Sequence, residues 1–435
     1  MDLLDECIKI LKINSVSQTG NVEIVSYLNG LMNGLGLKTI IQSTTHRGVD
    51  QQNLVCQIEG VTTEQIIFNT HLDTVNPGDF MKWDSTDFNP FNPKIVGDRI
   101  YGLGSADTKL DFLCKLKALI KHKSKKFVNP LTFVGTYGEE MGLIGCGFFL
   151  NSGIVNPKYA FVGEPTNLNL VYAHKAMIVI RIELPLEKYS ENIKTETFEF
   201  KGESAHGSTP HLGKNAIISA VNALKDLPQE YELVSIDGGS AVNMVPIDTK
   251  VVVTKNNVSY NRDNLQFIFD LLDETENKLY NDTDYAYDPP YSVLNIGTIS
   301  TNSDKITMRM AFRMLPKRDF HVILKEIEEK LEPVRGKVIL ERNQPAMYTD
   351  KNGFLINKTY KILNELGIEA IKETKPASTE AALYQKWGAD SVIFGPGIST
   401  NNIHKPNEYN FISQLYLAVS FYERVIEDFC LTEIK

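Results

Sequence analysis

Several short apolar runs in this chain end beside side chains that bind metal ions, and this pattern constrains the fold more than any other feature. The runs at residues 66–68, 131–134 and 159–162 are followed by His71 with Asp73, by Glu139 with Glu140, and by Glu164. Apolar runs of this length are typical of buried strands. Ligands of open α/β sheets collect at the carboxyl ends of the strands. The pattern therefore predicts an α/β fold with a polar site along one edge of its sheet.

The alternation of helix-like and strand-like segments extends this prediction to the whole chain. At 435 residues the chain exceeds what one hydrophobic core normally serves, which predicts two domains. Residues 1–175 and 346–435 have the pattern of a layered α/β domain with a largely parallel sheet, whereas residues 176–345 have that of an α+β domain. If His404 joins ligands from the first third of the chain, the α+β domain must be an insertion between two halves of the catalytic domain.

Composition excludes several classes of protein. The net charge of -9 argues against a nucleic-acid surface, and we interpret the basic cluster from Lys115 to Lys126 as the solvated end of a helix. No apolar run approaches the roughly 20 residues that span a bilayer. The first residues are acidic, unlike a signal peptide, and the five cysteines are scattered without a Cys-x-x-Cys pair. We therefore expect a cytoplasmic protein with reduced, buried thiols.

His71 and Asp73 are the first candidate pair for a metal centre. With this spacing, Asp73 can accept the proton on the second ring nitrogen of His71, which fixes the tautomer and raises the basicity of the ring. We assign His71 as a metal ligand and Asp73 as the acid that orients it. A histidine that follows a strand is by itself more often a structural residue than a ligand.

Asp107 stands where a glycine-containing loop, residues 101–106, enters a predicted helix. Glycines let the backbone approach closely, and a carboxylate there can use both oxygens to bridge two cations. A helix N-cap is one alternative. A nucleotide loop is another, but the segment lacks both the third glycine and the Gly-Lys-Ser/Thr ending of phosphate-binding loops.

Glu139 and Glu140 are adjacent carboxylates that follow a predicted strand. Because neighbouring side chains in extended backbone point in opposite directions, one can bind metal while the other faces the substrate water. We assign Glu140 to the metal and Glu139 to proton transfer. An exposed acidic pair is the alternative.

Glu164, which precedes a proline, and His404, which follows a Gly-Pro-Gly turn, complete the set of candidate ligands. Carboxylate oxygens combined with imidazole nitrogens, without thiolates, suit two zinc-like divalent cations bridged by one carboxylate. A site of this kind hydrolyses amide bonds.

Together these segments resemble the family of binuclear metallohydrolases that includes acetylornithine deacetylase, succinyl-diaminopimelate desuccinylase and carboxypeptidase G. The resemblance covers nearly the whole chain, is greatest to the acetylornithine deacetylases, and is carried by residues 101–109, 162–166, 173–175, 313–316 and 404–409. It implies two metal sites that share Asp107, one completed by His71 and Glu164 and the other by Glu140 and His404. It further implies zinc or cobalt as the metal, Asp73 as the acid that orients His71, and Glu139 as the general base.

The inserted segment carries the rest of the resemblance. Residues 201–210 are similar to the family's second-domain signature, which implies a lid or dimerisation domain in which His206 stabilises the oxyanion, in many members from the partner subunit of a homodimer. Asn243 and Arg313 resemble polar contacts to the substrate, and the forked donors of Arg313 suit a carboxylate. A turn asparagine and a strand arginine are the alternatives. A long segment separates these two residues here, as in the dipeptidase branch of the family.

These observations predict a metal-dependent hydrolase of small N-acyl amino acids, with N-acetylornithine as the preferred substrate and neither nucleic acid nor membrane as a partner. A metallo-dipeptidase or carboxypeptidase with the same site is the first alternative, and the enlarged insertion supports it. A non-catalytic binding protein is the second alternative. It predicts a missing base or ligand, yet Glu139 and all the ligand positions are present.

Overall fold

The computed structural model of the protein describes residues 1–187, 194–255, 260–302 and 304–434. The chain divides into two compact units. Unit 1 comprises Met1–Ala173, Met347–Thr374 and Thr379–Lys435, whereas unit 2 comprises His174–Ala346 and Lys375–Ser378. Most of unit 2 is therefore one segment that interrupts the sequence of unit 1.

The first part of unit 1 alternates helices and strands. Its helices are α1 (Leu3–Leu11), α2 (Val22–Gly34), α3 (Lys109–His122) and α4 (Ile144–Asn151). Its strands are β1 (Thr39–His46), β2 (Val49–Ile58), β3 (Gln65–His71), β4 (Lys94–Val96), β5 (Arg99–Tyr101), β6 (Leu131–Thr136), β7 (Pro157–Val162) and β8 (Leu170–His174). Short 3₁₀ turns lie at Phe80–Lys82 and Asp84–Thr86.

Unit 2 follows with longer strands. These are β9 (Ala176–Pro185), β10 (Thr195–Lys201), β11 (Tyr231–Gly238), β12 (Asp248–Lys255), β13 (Val293–Thr301), β14 (Lys305–Met314) and β15 (Lys337–Gln344). Its helices are α5 (Ala216–Lys225), α6 (Asn261–Tyr280) and α7 (Phe320–Leu331), with 3₁₀ turns at Pro210–Leu212 and Glu332–Val334.

The chain then returns to unit 1. The strands of this part are β16 (Met347–Tyr348), β17 (Lys372–Lys375), β18 (Asp390–Ile393) and β19 (Tyr409–Phe411). The helices are α8 (Phe354–Glu365), α9 (Ala381–Lys386) and α10 (Ile412–Val425), and α10 continues into a π turn at Ile426–Cys430.

The main sheet of unit 1 is mixed, with a parallel centre. Its strand order is β1-β2-β6-β3-β7-β18-β8-β16, and β17 pairs with β8. The pairs β3 with β6, β3 with β7, and β7 with β18 are parallel, whereas β1 with β2, β2 with β6, and β8 with β18 are antiparallel. The predicted α/β class is confirmed, and the parallel pairing applies to the four central strands. Their carboxyl ends lie side by side along one edge.

The sheet of unit 2 is antiparallel and carries its helices on a hydrophobic core. The strand order is β10-β12-β11-β13-β14-β9-β15. Alternate residues of the strands, such as Ile178, Ile180 and Ile182 on β9, pack in one cluster with Leu272 of α6 and Ile327 of α7. Because strand side chains alternate between the two faces, the intervening residues of these strands lie on the other face of the sheet.

Local sequence explains the first helix of unit 1. The side chain of Asp2 caps α1 by accepting the backbone N–H of Asp5 at 3.0 Å, and α1 buries Leu3, Cys7 and Ile10 at helical spacing. All five cysteines are free and buried. Within the described residues, every helix falls short of the length and apolar character that a membrane crossing requires.

Candidate metal centre

The candidate ligands of unit 1 lie along the edge at which the parallel strands end. His71 is the last residue of β3, Glu139 and Glu140 follow β6, and Glu164 follows β7. Adjacent parallel strands bring these positions together because their carboxyl ends coincide. Asp107 precedes α3, and His404 lies in the loop between β18 and β19.

The first group of potential ligands consists of His71, Asp107 and Glu164. All three side chains are buried, and their ligand atoms lie within 4.8 Å of one another. The His71 Nε2 atom is 3.1 Å from Asp107 Oδ1. The backbone carbonyl of Asp73 accepts a hydrogen bond from His71 Nδ1 at 3.0 Å, which leaves Nε2 of the neutral ring with a lone pair directed at Asp107.

The second group shares Asp107 and adds Glu140 and His404. Its ligand atoms also lie within 4.8 Å of one another. His404 Nε2 is 3.1 Å from Asp107 Oδ2 and 3.0 Å from Glu140 Oε1, and the His404 side chain is 49% exposed. Asp107 therefore directs one carboxylate oxygen to each histidine, which is the arrangement that a bridging ligand requires.

The charges in this cluster favour a cation. Burial alone would raise the pKa of Asp107, yet hydrogen bonds from His404 and His71 hold it well below its ordinary value. Burial alone would lower the pKa of His404, whereas hydrogen bonds with Asp107 and Glu140 raise it to about 12. Burial would likewise lower the pKa of His71, whereas the hydrogen bond with Asp107 raises it well above its ordinary value, so the carboxylates favour protons on both imidazoles when no other cation is near. Because a divalent cation competes with protons for the same nitrogen and oxygen atoms, the donor set fits two such ions.

Asp73 is placed to hold several groups at once. Its Oδ1 atom is 3.6 Å from His71 Nδ1, farther than its own backbone carbonyl, so the nearer acceptor for the ring is the main chain. The carboxylate instead accepts the backbone N–H of Glu139 at 3.1 Å and the hydroxyl of Ser17 at 2.6 Å. Asp73 therefore joins the end of β3 to the loop that carries the two adjacent glutamates. The role of Ser17 had no signal in the sequence.

Glu139 lies beside this group of ligands. Burial, followed by repulsion from Glu140 and Glu164, raises the pKa of Glu139 well above its ordinary value, although His71 opposes the shift. A carboxylate with raised proton affinity is a better base at neutral pH than an ordinary glutamate. Its backbone is fixed by Asp73, so its position does not depend on the metal ligands alone.

Glu408 holds the Asp107 loop and was not assigned a role from the sequence. It is buried, and its carboxylate accepts the backbone N–H groups of Gly104, Ala106 and Asp107 at 3.1, 2.8 and 3.0 Å. Burial raises the pKa of Glu408 to about 7, in spite of these three hydrogen bonds. The sequence offered one indication of this role, the position of Glu408 four residues after His404. The buried N–H groups of the Asp107 loop require an acceptor, which this carboxylate supplies.

A second buried network connects β3 to helix α3. Lys115 Nζ donates to the carbonyl of Asn69 at 2.6 Å and to Thr70 Oγ1 at 2.9 Å, and it pairs with Asp111 Oδ2 at 2.7 Å. Both charged side chains are buried, and Tyr422 donates to Asp111 Oδ1 at 2.5 Å. The interpretation of the cluster from Lys115 onward as a solvated helix end is therefore wrong for Lys115, which faces the sheet.

The comparison with family models identifies the chain. A model of peptidase family M20/M25/M40 matches residues 67–428, which include every candidate ligand. The chain belongs to peptidase family M20/M25/M40. This finding confirms the predicted family and makes the protein a metallohydrolase that acts on amide bonds.

Relatives of this M20 chain include deacylases and peptidases. The acetylornithine deacetylase of Myxococcus xanthus is 23% identical over 434 residues, covering 97% of this chain and 96% of that protein. The structure of aminoacylhistidine dipeptidase from Vibrio alginolyticus matches with a TM-score of 0.68 at 18% identity, covering 100% of this chain and 97% of the other. An M20 metallo-carboxypeptidase from Sulfolobus solfataricus matches with a TM-score of 0.66 at 16% identity and coverage of 98% and 99%.

The remaining predicted site residues of the M20 chain lie in unit 2. His206 is exposed, and its Nδ1 atom accepts the backbone N–H of Ser208 at 3.2 Å and lies 2.7 Å from Ser208 Oγ. When the ring is neutral, its proton is therefore on Nε2. Asn243 is also exposed, and its backbone carbonyl accepts the N–H of Gly207 at 2.7 Å. The structure thus places the His206 and Asn243 loops beside each other.

Arg313 lies on β14, opposite Val293 of β13. Its side chain is only 4% exposed, and its Nε atom has no hydrogen-bond partner among the residues that the structure describes. Burial, followed by repulsion from Arg342, lowers the pKa of Arg313 to about 10. The long segment between Asn243 and Arg313 is occupied by β12, α6 and β13.

Proposed function

We propose that this M20 hydrolase removes the acyl group from an N-acyl amino acid, with N-acetylornithine as the preferred substrate. The observation that carries the proposal is the position of Asp107, whose two carboxylate oxygens each lie 3.1 Å from a different histidine. A shared carboxylate between two such ligand sets is suited to a pair of hydrolytic cations. The choice of substrate is supported by the similarity along nearly the full length to acetylornithine deacetylase of M. xanthus.

In this proposal, two cations share Asp107. His71 and Glu164 complete one site, and Glu140 and His404 complete the other. Zinc is the proposed metal and cobalt the alternative, because both accept imidazole together with carboxylate oxygen. Bound cations of this kind polarise an amide carbonyl and lower the pKa of a water molecule toward neutrality.

Glu139 is the proposed general base. It would take a proton from the attacking water and return it to the leaving amine, as a carboxylate with a raised pKa can do near neutral pH. The Asp73 carboxylate holds the backbone of Glu139 at 3.1 Å, which restricts where the base can lie. Glu140, the neighbouring residue, contributes to the ligand set instead.

Unit 2 would supply the contacts to the rest of the substrate. Arg313 is proposed to bind the carboxylate of the amino-acid moiety, because a buried guanidinium whose Nε has no partner among the described residues gains most from an anion. Asn243 is a proposed polar contact, and His206, with its proton on Nε2, is the proposed donor to the oxyanion.

We also propose that the protein acts in the cytoplasm as a homodimer formed through unit 2. The resemblance to M20 deacylases supports the dimer, and five free, buried cysteines suit a reducing compartment. Sedimentation of the purified protein tests the dimer, since a mass of one chain across the concentration range used for assays would contradict it.

A dipeptidase or carboxypeptidase activity is the alternative. It is favoured by the size of unit 2, in which α6 and its neighbouring strands separate the Asn243 and Arg313 motifs. It is also favoured by the matches to a dipeptidase and to a metallo-carboxypeptidase. Both reactions break an amide bond whose nitrogen belongs to an amino acid with a free carboxylate. They differ in the acyl group on that nitrogen, which is a simple acyl group in one substrate and an aminoacyl group in the other.

A substrate panel assayed with metal-loaded enzyme tests these proposals. The panel contains N-acetylornithine, other N-acetyl and N-succinyl amino acids, and dipeptides with matched carboxyl-terminal residues. We expect turnover to be fastest with N-acetylornithine. Dipeptide turnover without deacylation would replace the first proposal with the alternative.

Glu139→Gln is the matched variant for the proposed chemistry. It keeps the size of the side chain but removes the base, so turnover is expected to fall by about 10²–10⁴-fold. The metal content, measured by elemental analysis, is expected to stay at the wild-type value. Retained turnover would show that the base lies elsewhere.

A further inference from the structure

Two loops of unit 2 are joined by backbone hydrogen bonds, and they are the loops that carry His206 and Asn243. The N–H of Gly207 donates to the carbonyl of Asn243 at 2.7 Å, and the N–H of Val245 donates to the carbonyl of Ala205 at 2.9 Å. His206 and Met244 are consequently paired as an isolated antiparallel bridge. These two hydrogen bonds fix the position of one loop relative to the other, but they do not by themselves fix the loops to the sheet.

Asn295 of β13 makes the connection to the sheet. Its neighbours Leu294 and Ile296 belong to the core beneath the helices, so the Asn295 side chain lies on the other face of the sheet. Its Nδ2 atom donates to the carbonyls of Val242 and Met244, each at 3.0 Å. Both donors of the amide are thus used on the two residues that flank Asn243.

The structure assigns Asn295 as a positioning residue for Asn243 and His206. This inference rests on the proposed function, which gives those two residues their contacts with the substrate and the oxyanion. Through Val242 and Met244 the amide of Asn295 fixes the Asn243 loop directly. Through the bridge between Met244 and His206 it acts on the second loop as well, so one buried side chain contributes to the position of both groups relative to the sheet.

Steric contacts around Gly207 show how closely the three parts fit. A Cβ atom at Gly207 would lie 2.9 Å from the Asn243 carbonyl and 3.1 Å from Asn295 Nδ2. The glycine is therefore required at the point where the His206 loop meets both Asn243 and Asn295. Any added side chain would push the loops apart or displace the amide.

The burial of Asn295 argues for a specific role beyond packing. The residue is 1% exposed, and its Oδ1 atom has no hydrogen-bond partner in the described part of the chain. A buried polar atom without a partner is unfavourable, and an apolar side chain of similar volume would avoid this cost. What an apolar side chain cannot do is hold two carbonyl oxygens in place.

A double-mutant cycle with Asn295→Leu and His206→Ala tests the inference. In the wild-type background, His206→Ala is expected to lower kcat by about 100-fold, as for the loss of an oxyanion donor. Asn295→Leu alone is expected to lower kcat/KM by about 10-fold to 100-fold because the donor is misplaced. In the Asn295→Leu background, His206→Ala should lower kcat by less than about 10-fold, since a displaced histidine already contributes little to catalysis.

Asn261→Leu is the matched control. Asn261 is also buried in unit 2, and its Nδ2 atom donates to two carbonyls, those of Glu187 at 3.0 Å and Leu233 at 3.3 Å, away from both loops. It should lower the thermal unfolding temperature to a degree comparable with Asn295→Leu. The effect of His206→Ala should nevertheless remain about 100-fold in this background, because a general loss of stability does not move the histidine.

The outcomes separate this inference from the proposed function. If His206→Ala lowers kcat by the same factor with and without Asn295→Leu, then Asn295 has only a structural role and the inference is overturned. If His206→Ala has no effect in the wild-type background, the proposed role of His206 is lost, and the inference is lost with it. Should Asn295→Leu fail to fold, Gly207→Ala separates the same loops and is expected to give the same non-additive cycle.

Discussion

Glu408 accepts the backbone N–H of Asp107 at 3.0 Å, so the carboxylate that follows His404 by four residues holds the loop of the shared ligand. Its hydrogen bonds to Gly104 and Ala106 fix the same loop from the same side. Of the three sequence segments that supply the second ligand group, those of Asp107 and His404 are therefore connected by Glu408 as well as by any ion.

Replacing Glu408 should weaken metal binding. Glu408→Gln keeps the size of the side chain but leaves only one oxygen to accept three backbone N–H groups. We expect metal affinity to fall by about 10-fold to 100-fold, as is typical when a residue that supports a ligand is lost. Calorimetric titration of the chelated protein with zinc measures this change. Glu423→Gln, at a partly exposed position of α10 that pairs with Lys121, is the control, and equal affinities in the two variants would contradict the role of Glu408.

The shared position of Asp107 predicts a specific pattern of metal stoichiometry. Asp107 belongs to both ligand groups, whereas Glu164 and His404 each belong to one. We expect about two bound ions per chain in the wild type, about one in Glu164→Ala or His404→Ala, and fewer than one in Asp107→Ala. Elemental analysis after dialysis gives these values. One bound ion in Asp107→Ala would show that the groups are independent.

The ion pair between Lys115 and Asp111 should be costly to break on one side only. Lys115→Met is expected to lower the free energy of unfolding by about 3–5 kcal/mol, because it leaves a buried carboxylate without its cation. The double variant with Asp111→Leu should lose less than the sum of the single variants. Urea denaturation measures these differences. The exposed pair of Lys225 and Asp270 is the control, and Lys225→Met should change stability by less than about 1 kcal/mol.

His174 should make unit 2 sensitive to acid. It is buried, and burial lowers its pKa from 6.5 to about 4. The unfolded chain therefore binds a proton between these pH values that the folded protein does not bind. The contribution of His174 to the free energy of unfolding is therefore fully present above about pH 6.5. It decreases by about 3 kcal/mol as the pH falls to about 4.

Urea denaturation of the chelated protein at pH 7 and pH 5 checks this sign. His174→Asn removes the titrating group, so its stability should fall less between the two pH values than that of the wild type. An identical pH dependence of stability in the wild type and the variant would contradict the prediction.

The sequence predicted the centre of the unit 1 sheet better than its margins. β3, β6 and β7 are continuous apolar runs because both of their faces are buried, and such runs are visible in the sequence. The outer strand β1 alternates and is half exposed, and its antiparallel pairing with β2 depends on a turn whose geometry the apolar pattern does not report. The mixed character of the sheet therefore emerged only from the structure.

Some parts of the candidate site could not be predicted from residue types. Lys115 looked like part of a solvated basic run, and only its position against β3 shows that it is buried. Hydrogen bonds that use backbone groups leave no trace in the sequence, which is why the three N–H groups bound by Glu408 and the main-chain acceptor of His71 were not foreseen. Ligands that follow apolar strands were predicted because strand ends can be recognised individually.

The interruption of unit 1 by unit 2 means that the two ligand groups are completed at different stages of protein synthesis. His71, Asp107 and Glu164 are all present in the nascent chain once residue 164 is joined, whereas the other group awaits His404, which is synthesised only after most of unit 2. Glu408 follows His404, so the Asp107 loop is synthesised, and then most of unit 2, before the carboxylate that accepts its three N–H groups exists.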